Sequence, residues 1–138
     1  MLIDYNDYIN MECVVDFLKG LFLSIYFLAA DTIWISFIAG PMYRSQLGSL
    51  IQMATGAPLL LGLVAAYGLL LLGLFYLALQ PGFTIVHASI VGLVIYGVYG
   101  FTNFLIMPVW SIQLVLADLI WGTFLYGSSA AIAKLIQV

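Results

Sequence analysis

PLLLGLVAAYGLLLLGLFYLAL, running from Pro58 to Leu79, contains no charged residue. A helix needs ~20 mostly apolar residues to cross the hydrocarbon core of a bilayer, and this run is long enough. Pro58 suits its first turn, where a missing N–H leaves no helical hydrogen bond unmade. The same character extends outward: no Asp, Glu, Lys or Arg occurs between Gln46 and Ala117. The 138-residue chain is 65% hydrophobic and 7% charged. A soluble domain is about half apolar and about a quarter charged, so this composition excludes one and indicates an integral membrane protein.

Three further runs reach spanning length. One extends from about Asp16 to Gly40. Another begins after Pro81-Gly82-Phe83-Thr84 and ends near Met107. The last follows Pro108-Val109-Trp110-Ser111, with Ser111 as N-cap, and ends near Lys134. Pro81 and Pro108 separate helices. The expected fold is an all-α integral membrane four-helix bundle with both termini on one side. Its helices lie at about 16–40, 58–79, 85–107 and 112–134, forming a single transmembrane domain over 16–138. A polar segment, 1–15, precedes it and is expected to be mobile or interfacial. Residues 41–55 are expected to form the longest loop, resting on the membrane through Leu47, Leu50, Ile51 and Met53.

The acidic start, with Asp4, Asp7 and Glu12, lacks the basic region of a secretory signal, so the first run reads as a retained helix. Lys19 and Lys134 against Arg44 place the termini in the cytoplasm. Cys13 and His87 are alone of their kinds, which leaves no intrachain disulfide and no metal cluster. His87 reads as an interfacial side chain. Three Lys plus Arg provide no patch for nucleic acid, and no cofactor is expected.

Two eleven-residue stretches, 87 positions apart, nearly coincide. Ala30-Asp31-Thr32-Ile33-Trp34-Ile35-Ser36-Phe37-Ile38-Ala39-Gly40 aligns with Ala117-Asp118-Leu119-Ile120-Trp121-Gly122-Thr123-Phe124-Leu125-Tyr126-Gly127. Each carries a carboxylate into an apolar run. About a dozen Leu, Ile, Val or Phe residues in the first run contribute roughly −0.3 to −0.6 kcal/mol each, against roughly +2.5 to +3.5 kcal/mol for one Asp, so the helix still inserts. An ionisable residue at that depth is a functional-site candidate by default. An inverted repeat would put the two Asp at mirrored depths. The topology puts both in the half nearer Arg44, which favours a local likeness.

Spacing assembles a pocket around them. On the third helix Gly92, Tyr96, Tyr99 and Asn103 share a stripe at i, i+4, i+7 and i+11. Ser24, Phe27, Asp31 and Trp34 share one on the first helix, and Asp118, Trp121, Gly122 and Leu125 on the fourth. The candidate binding residues are Asp31, Asp118, Asn103, Thr102, Tyr99 and Tyr96, supported by Trp34, Trp121 and Tyr43. Tyr43 and Trp110 are expected at the rim as interfacial anchors. The small residues Gly127, Ser128, Ser129, Ala130 and Ala131 read as a packing seam.

The ordered set Asp31-x-x-Trp34, Tyr43-x-x-x-Leu47-Gly48, Tyr99-x-x-Thr102-Asn103, Trp110 and Asp118-x-x-Trp121-Gly122 resembles a bacterial-type membrane protein family, domain of unknown function 2177. The likeness covers about residues 16 to 130. Relatives usually carry an Asp after the tyrosine, where this chain has Gly100. Phe104-Leu105-Ile106 stand where an alanine-threonine segment is expected. The resemblance implies a compact helical membrane protein and supplies no reaction.

The leading functional reading is a small transporter or channel component whose Asp pair binds a proton, a cation or a cationic solute. Four short helices leave little room for a complete pathway, which points to a homo-oligomer or a larger membrane complex. One alternative is a non-catalytic subunit or assembly factor. Another is a lipid-modifying membrane enzyme using the Asp pair as general acid and base.

Overall fold

The computed structural model describes residues 5–48 and 55–138, all of whose regular structure is helical. Helix α1 (Tyr5–Trp34) passes through a π turn (Ile35–Ala39) into α2 (Gly40–Leu47) without leaving the helical path. Helix α3 (Ala57–Leu72) ends in a second π turn (Gly73–Ala78), and α4 (Ile85–Ile106) and α5 (Ile112–Ile136) follow. Four stretches, Met11–Leu47, Ala57–Ala78, Ile85–Ile106 and Ile112–Ile136, are long and apolar enough to cross a bilayer.

The first span differs from expectation at both ends. The helix that carries it begins at Tyr5 rather than near Asp16, and it continues seven residues beyond Gly40 to Leu47. The expected loop over 41–55 is therefore helical up to Leu47, and Leu47 is buried in the bundle instead of resting on a membrane surface. Leu50, Ile51 and Met53 lie outside the described residues, as do residues 1–4. Pro41 explains the continuation. In an α-helix its ring would press on the carbonyl of Phe37, and the helix would end or kink. The wider π turn just before it absorbs that clash, with the Gly40 N–H bonded five residues back to the Ile35 carbonyl.

The second π turn has a different cause. The Tyr126 hydroxyl donates to the Leu70 carbonyl at 2.8 Å and so occupies an acceptor of the α ladder. A side chain inserted into the ladder displaces the next bonds, and Leu79 N–H reaches back to Leu74 O at 2.9 Å.

Polar caps set the remaining ends. Thr84 accepts from His87 N–H at 3.0 Å and opens α4, and Ser111 accepts from Leu114 N–H at 3.3 Å and opens α5, as its sequence position indicates. The His87 ring donates from Nε2 to Leu77 O at 2.9 Å and closes the turn between the second and third spans. The Lys19 ammonium donates to Gln137 O at 3.0 Å, setting a cation against the C-terminal end of α5. That bond also fixes α1 and α5 as antiparallel neighbours.

The tightest seam joins α4 and α5. A Cβ on Gly92 would collide with the Gly122 carbonyl, one on Gly122 with the Tyr96 ring, and one on Gly127 with the Ser89 hydroxyl. Backbones that approach this closely rely on dispersion contacts, since lipid offers no hydrophobic drive for helix pairing. Leu23 and Phe27 of α1 pack against Leu125 and Tyr126 of α5, with the Phe27 and Tyr126 rings edge to face at 5.2 Å. By contrast α3 has no fully buried residue, and the second span meets the core at its end, through Leu70 and Leu71 and the buried Gly73, Leu74 and Ala78.

Candidate functional site

The sparse packing of α3 leaves a cavity of about 620 Å³ to which all four spans contribute. Asp31, Trp34 and Tyr43 line it from the first span, Leu69, Gly73 and Tyr76 from the second, Tyr96 and Tyr99 from the third, and Asp118 from the fourth. Both carboxylates are almost fully buried, at 2% and 3% exposure. Among the described residues no Lys, Arg or His lines the cavity.

Each carboxylate is held by neutral donors. The Tyr96 hydroxyl donates to Asp31 Oδ1 at 2.9 Å, and Trp121 Nε1 donates to the same oxygen at 2.8 Å. An indole N–H can only donate, so Oδ1 is an acceptor. Oδ2 has no donor among the described residues and is the atom where a proton or a ligand N–H can sit. Asp118 receives one hydroxyl, that of Tyr43, shared between its two oxygens at 2.7 and 2.9 Å. One proton divided between two oxygens leaves further acceptor capacity on both.

Local helix geometry builds this arrangement. Trp121 lies one turn after Asp118 on the same face of α5. Trp121 reaches across to Asp31, so the turn of α5 that carries Asp118 also supplies a donor to the other carboxylate. Trp34 stacks on Trp121 with centroids 4.7 Å apart and planes 2° from parallel. The two Asp-x-x-Trp motifs therefore meet through their tryptophans. Their likeness stops at the hydrogen bonds, since Asp31 takes Trp121 whereas Asp118 takes Tyr43.

Six of the nine residues singled out from the sequence line the cavity, namely Asp31, Asp118, Tyr96, Tyr99, Trp34 and Tyr43. Trp121 joins them through its bond to Asp31. Two do not. Thr102 is exposed, because three residues beyond Tyr99 and six beyond Tyr96 the helix has turned it off their shared face. Asn103 keeps to the stripe but lies one turn past the cavity, where it meets the Tyr99 hydroxyl. Tyr43 and Trp110 are not lipid-facing anchors. Trp110 is 5% exposed and packed 5.2 Å from the Tyr43 ring and 5.8 Å from the Tyr99 ring, centroid to centroid. Its Nε1 has no acceptor among the described residues.

Sequence reasoning missed the contribution of the second span. Gly73 and Tyr76 interrupt a leucine-rich run, and neither carries a charge to signal its position. The available sign was Gly73 itself, where a Cβ would sit 2.9 Å from Ile95 Cδ1 and from the Tyr126 hydroxyl. Gly100, where the family resemblance implies an Asp, is buried against Val115 at the α4–α5 seam, away from the cavity lining.

Comparison with curated proteins and with solved structures gave no match. The model of a predicted membrane protein family, DUF2177, matches residues 17–135, which takes in both Asp-x-x-Trp motifs and every cavity-lining residue, and the chain belongs to that family.

Proposed function

We propose that this chain is a small polytopic carrier component in which Asp31 and Asp118 exchange a proton with a single positive charge borne by a solute. The observation that carries this reading is two buried carboxylates on one cavity without a cationic side chain in its lining. Structural glue is a weaker account. Interhelical hydrogen bonds in membranes contribute about 0.6 kcal/mol on average. Each Asp costs roughly 2.5–3.5 kcal/mol to insert, so burying two for adhesion alone loses more than it gains. In this reading both termini face the cytoplasm, as the Lys and Arg distribution favours.

The test is a pH titration of intrinsic tryptophan fluorescence for the full chain in lipid nanodiscs. Trp121 touches Asp31 and Trp34 stacks on Trp121, so a change of carboxylate charge reaches the emitting rings. The wild-type signal is expected to titrate, and Asp31→Asn and Asp118→Asn are each expected to remove part of the transition while the protein stays folded. Identical curves for wild type and both variants would make the carboxylates adhesive only.

A second reading, a non-catalytic subunit of a larger membrane complex, draws on α3, which buries none of its residues. A partner helix in the native membrane would cover that face. The particle mass in mild detergent separates the two, since a carrier forms a defined homo-oligomer from this chain alone.

A further inference from the structure

We propose that the cavity takes an amphipathic monocation, a protonated amine on an apolar body, which reaches Asp31 and Asp118 from the bilayer along the open side of α3. This rests on the carboxylate-exchange reading above and specifies the ligand.

The cavity is far larger than a proton or a bare metal ion requires. Its volume of about 620 Å³ falls within the roughly 300–1,000 Å³ of sites for small organic molecules. Its chemistry is divided. The carboxylates and the hydroxyls of Tyr43 and Tyr96 form the polar part, and Ile35, Leu69, Leu72 and Ile95 supply much of the rest. A divalent cation would need about six oxygen ligands. The two carboxylates offer four oxygens, and the neighbouring hydroxyls point their protons into them.

An ammonium group suits the same atoms better. With one proton kept on the Asp pair, a single carboxylate charge matches a single ammonium, and Asp31 Oδ2 and the second lone pairs of Asp118 offer acceptors for its N–H groups. Trp34, Tyr43, Tyr96 and Tyr99 also line the cavity, and aromatic rings attract cations.

The route follows from the second span. Its cavity-lining residues Leu69, Leu72 and Tyr76 are 65%, 59% and 71% exposed, at a depth where the surrounding medium is lipid. A ligand with an apolar body can therefore lie partly between α3 and the acyl chains while its head meets the carboxylates. A hydrophilic cation would have to cross that apolar wall with its charge unshielded.

Dansylcadaverine, which joins a primary amine to an apolar fluorophore, and its neutral N-acetyl analogue form a matched pair of probes. Energy transfer from the tryptophans reports binding to the full chain in nanodiscs of zwitterionic lipid. The amine is expected to bind more tightly than the analogue by about tenfold or more, the value of one modest charge-assisted contact. Asp31→Asn and Asp118→Asn should remove that preference. Leu69→Phe narrows the apolar part of the cavity and adds no emitting tryptophan. It should weaken amine binding by about tenfold.

Equal binding of the amine and its acetylated analogue would show a simple acyl-chain groove and overturn the proposal. So would displacement of the probe by methylammonium or potassium at similar concentrations, since the apolar body would then be irrelevant. If the protein titrates with pH but shows neither amine preference nor a Leu69→Phe effect, the amphiphile fails and the exchange site stands. If the carboxylates do not titrate, both fall together.

Discussion

Trp110 and Trp121 carry the same indole in different circumstances. Trp121 Nε1 donates to a buried carboxylate, whereas Trp110 Nε1 is buried without an acceptor among the described residues. Removing a donor from a buried acceptor exposes the cost of desolvating it, while removing an orphaned donor relieves one. Trp121→Phe is therefore expected to destabilise the protein by about 1–2 kcal/mol more than Trp110→Phe, measured by denaturation in mixed micelles. Glycines offer a parallel contrast. Gly92→Ala would drive a methyl into the Gly122 carbonyl, whereas a Cβ at Gly97 meets nothing within 4 Å. The first should cost about 1–3 kcal/mol by overpacking, and the second should be near neutral, in the same assay. At this scale the charged members of the site were legible. Asp31 and Asp118 stand out because nothing else titratable shares their depth, and Tyr96 and Tyr99 follow from helical spacing. In the sequence Tyr43 looks like a lipid-facing anchor because Gly40-Pro41 reads as a helix stop, and Trp110, in the connection between α4 and α5, is buried against Tyr43 and Tyr99.

The π turns hold most of what remained hidden at the scale of elements. Hydrophobic periodicity marks a helix but does not say whether one of its turns holds an extra residue. Pro41 signals a break, and only tertiary packing shows that the helix widens and continues. The turn at Gly73–Ala78 leaves no mark in its own sequence, since its cause is the hydroxyl of Tyr126, which lies in the fourth span. Tyr126→Phe frees the Leu70 carbonyl. It is expected to restore the α ladder there at a cost of about 1 kcal/mol and to turn Tyr76 away from the cavity. Thiol accessibility at Tyr76→Cys, with and without Tyr126→Phe, would show the rotation, and unchanged reactivity would contradict it. Capped ends were easier to read. Ser111 sits where an N-cap belongs, and the ends of α4 and α5 fall within a few residues of the positions expected from Pro81 and Pro108.

For the whole molecule, the number and order of spans were plain from the sequence, because lipid admits few alternatives to a helix of ~20 apolar residues. How far apart the spans stand was not, since apolar side chains pack against lipid as well as against one another. The bond from Lys19 to Gln137 brings the beginning of the first span beside the end of the last. Cys13, which is exposed, and a cysteine placed at Gln137 in a Cys13→Ser background should therefore react with an impermeant maleimide from one side of the membrane, and a cysteine at Gly48 from the other. Labelling of Cys13 and position 137 from opposite sides would refute the arrangement. The loose seating of α3 has a mechanical consequence. Its 16 residues form a lever about 24 Å long, joined to the bundle near Gly73. A tilt of about 10° about that joint moves the far end by about 4 Å, whereas the zipped α4–α5 pair has no comparable freedom. Ala66 and Leu69, about 6–10 Å from the joint, move by about 1–2 Å in the same tilt, so bilayer thickness and lateral pressure become inputs to the width of the cavity beside the two carboxylates.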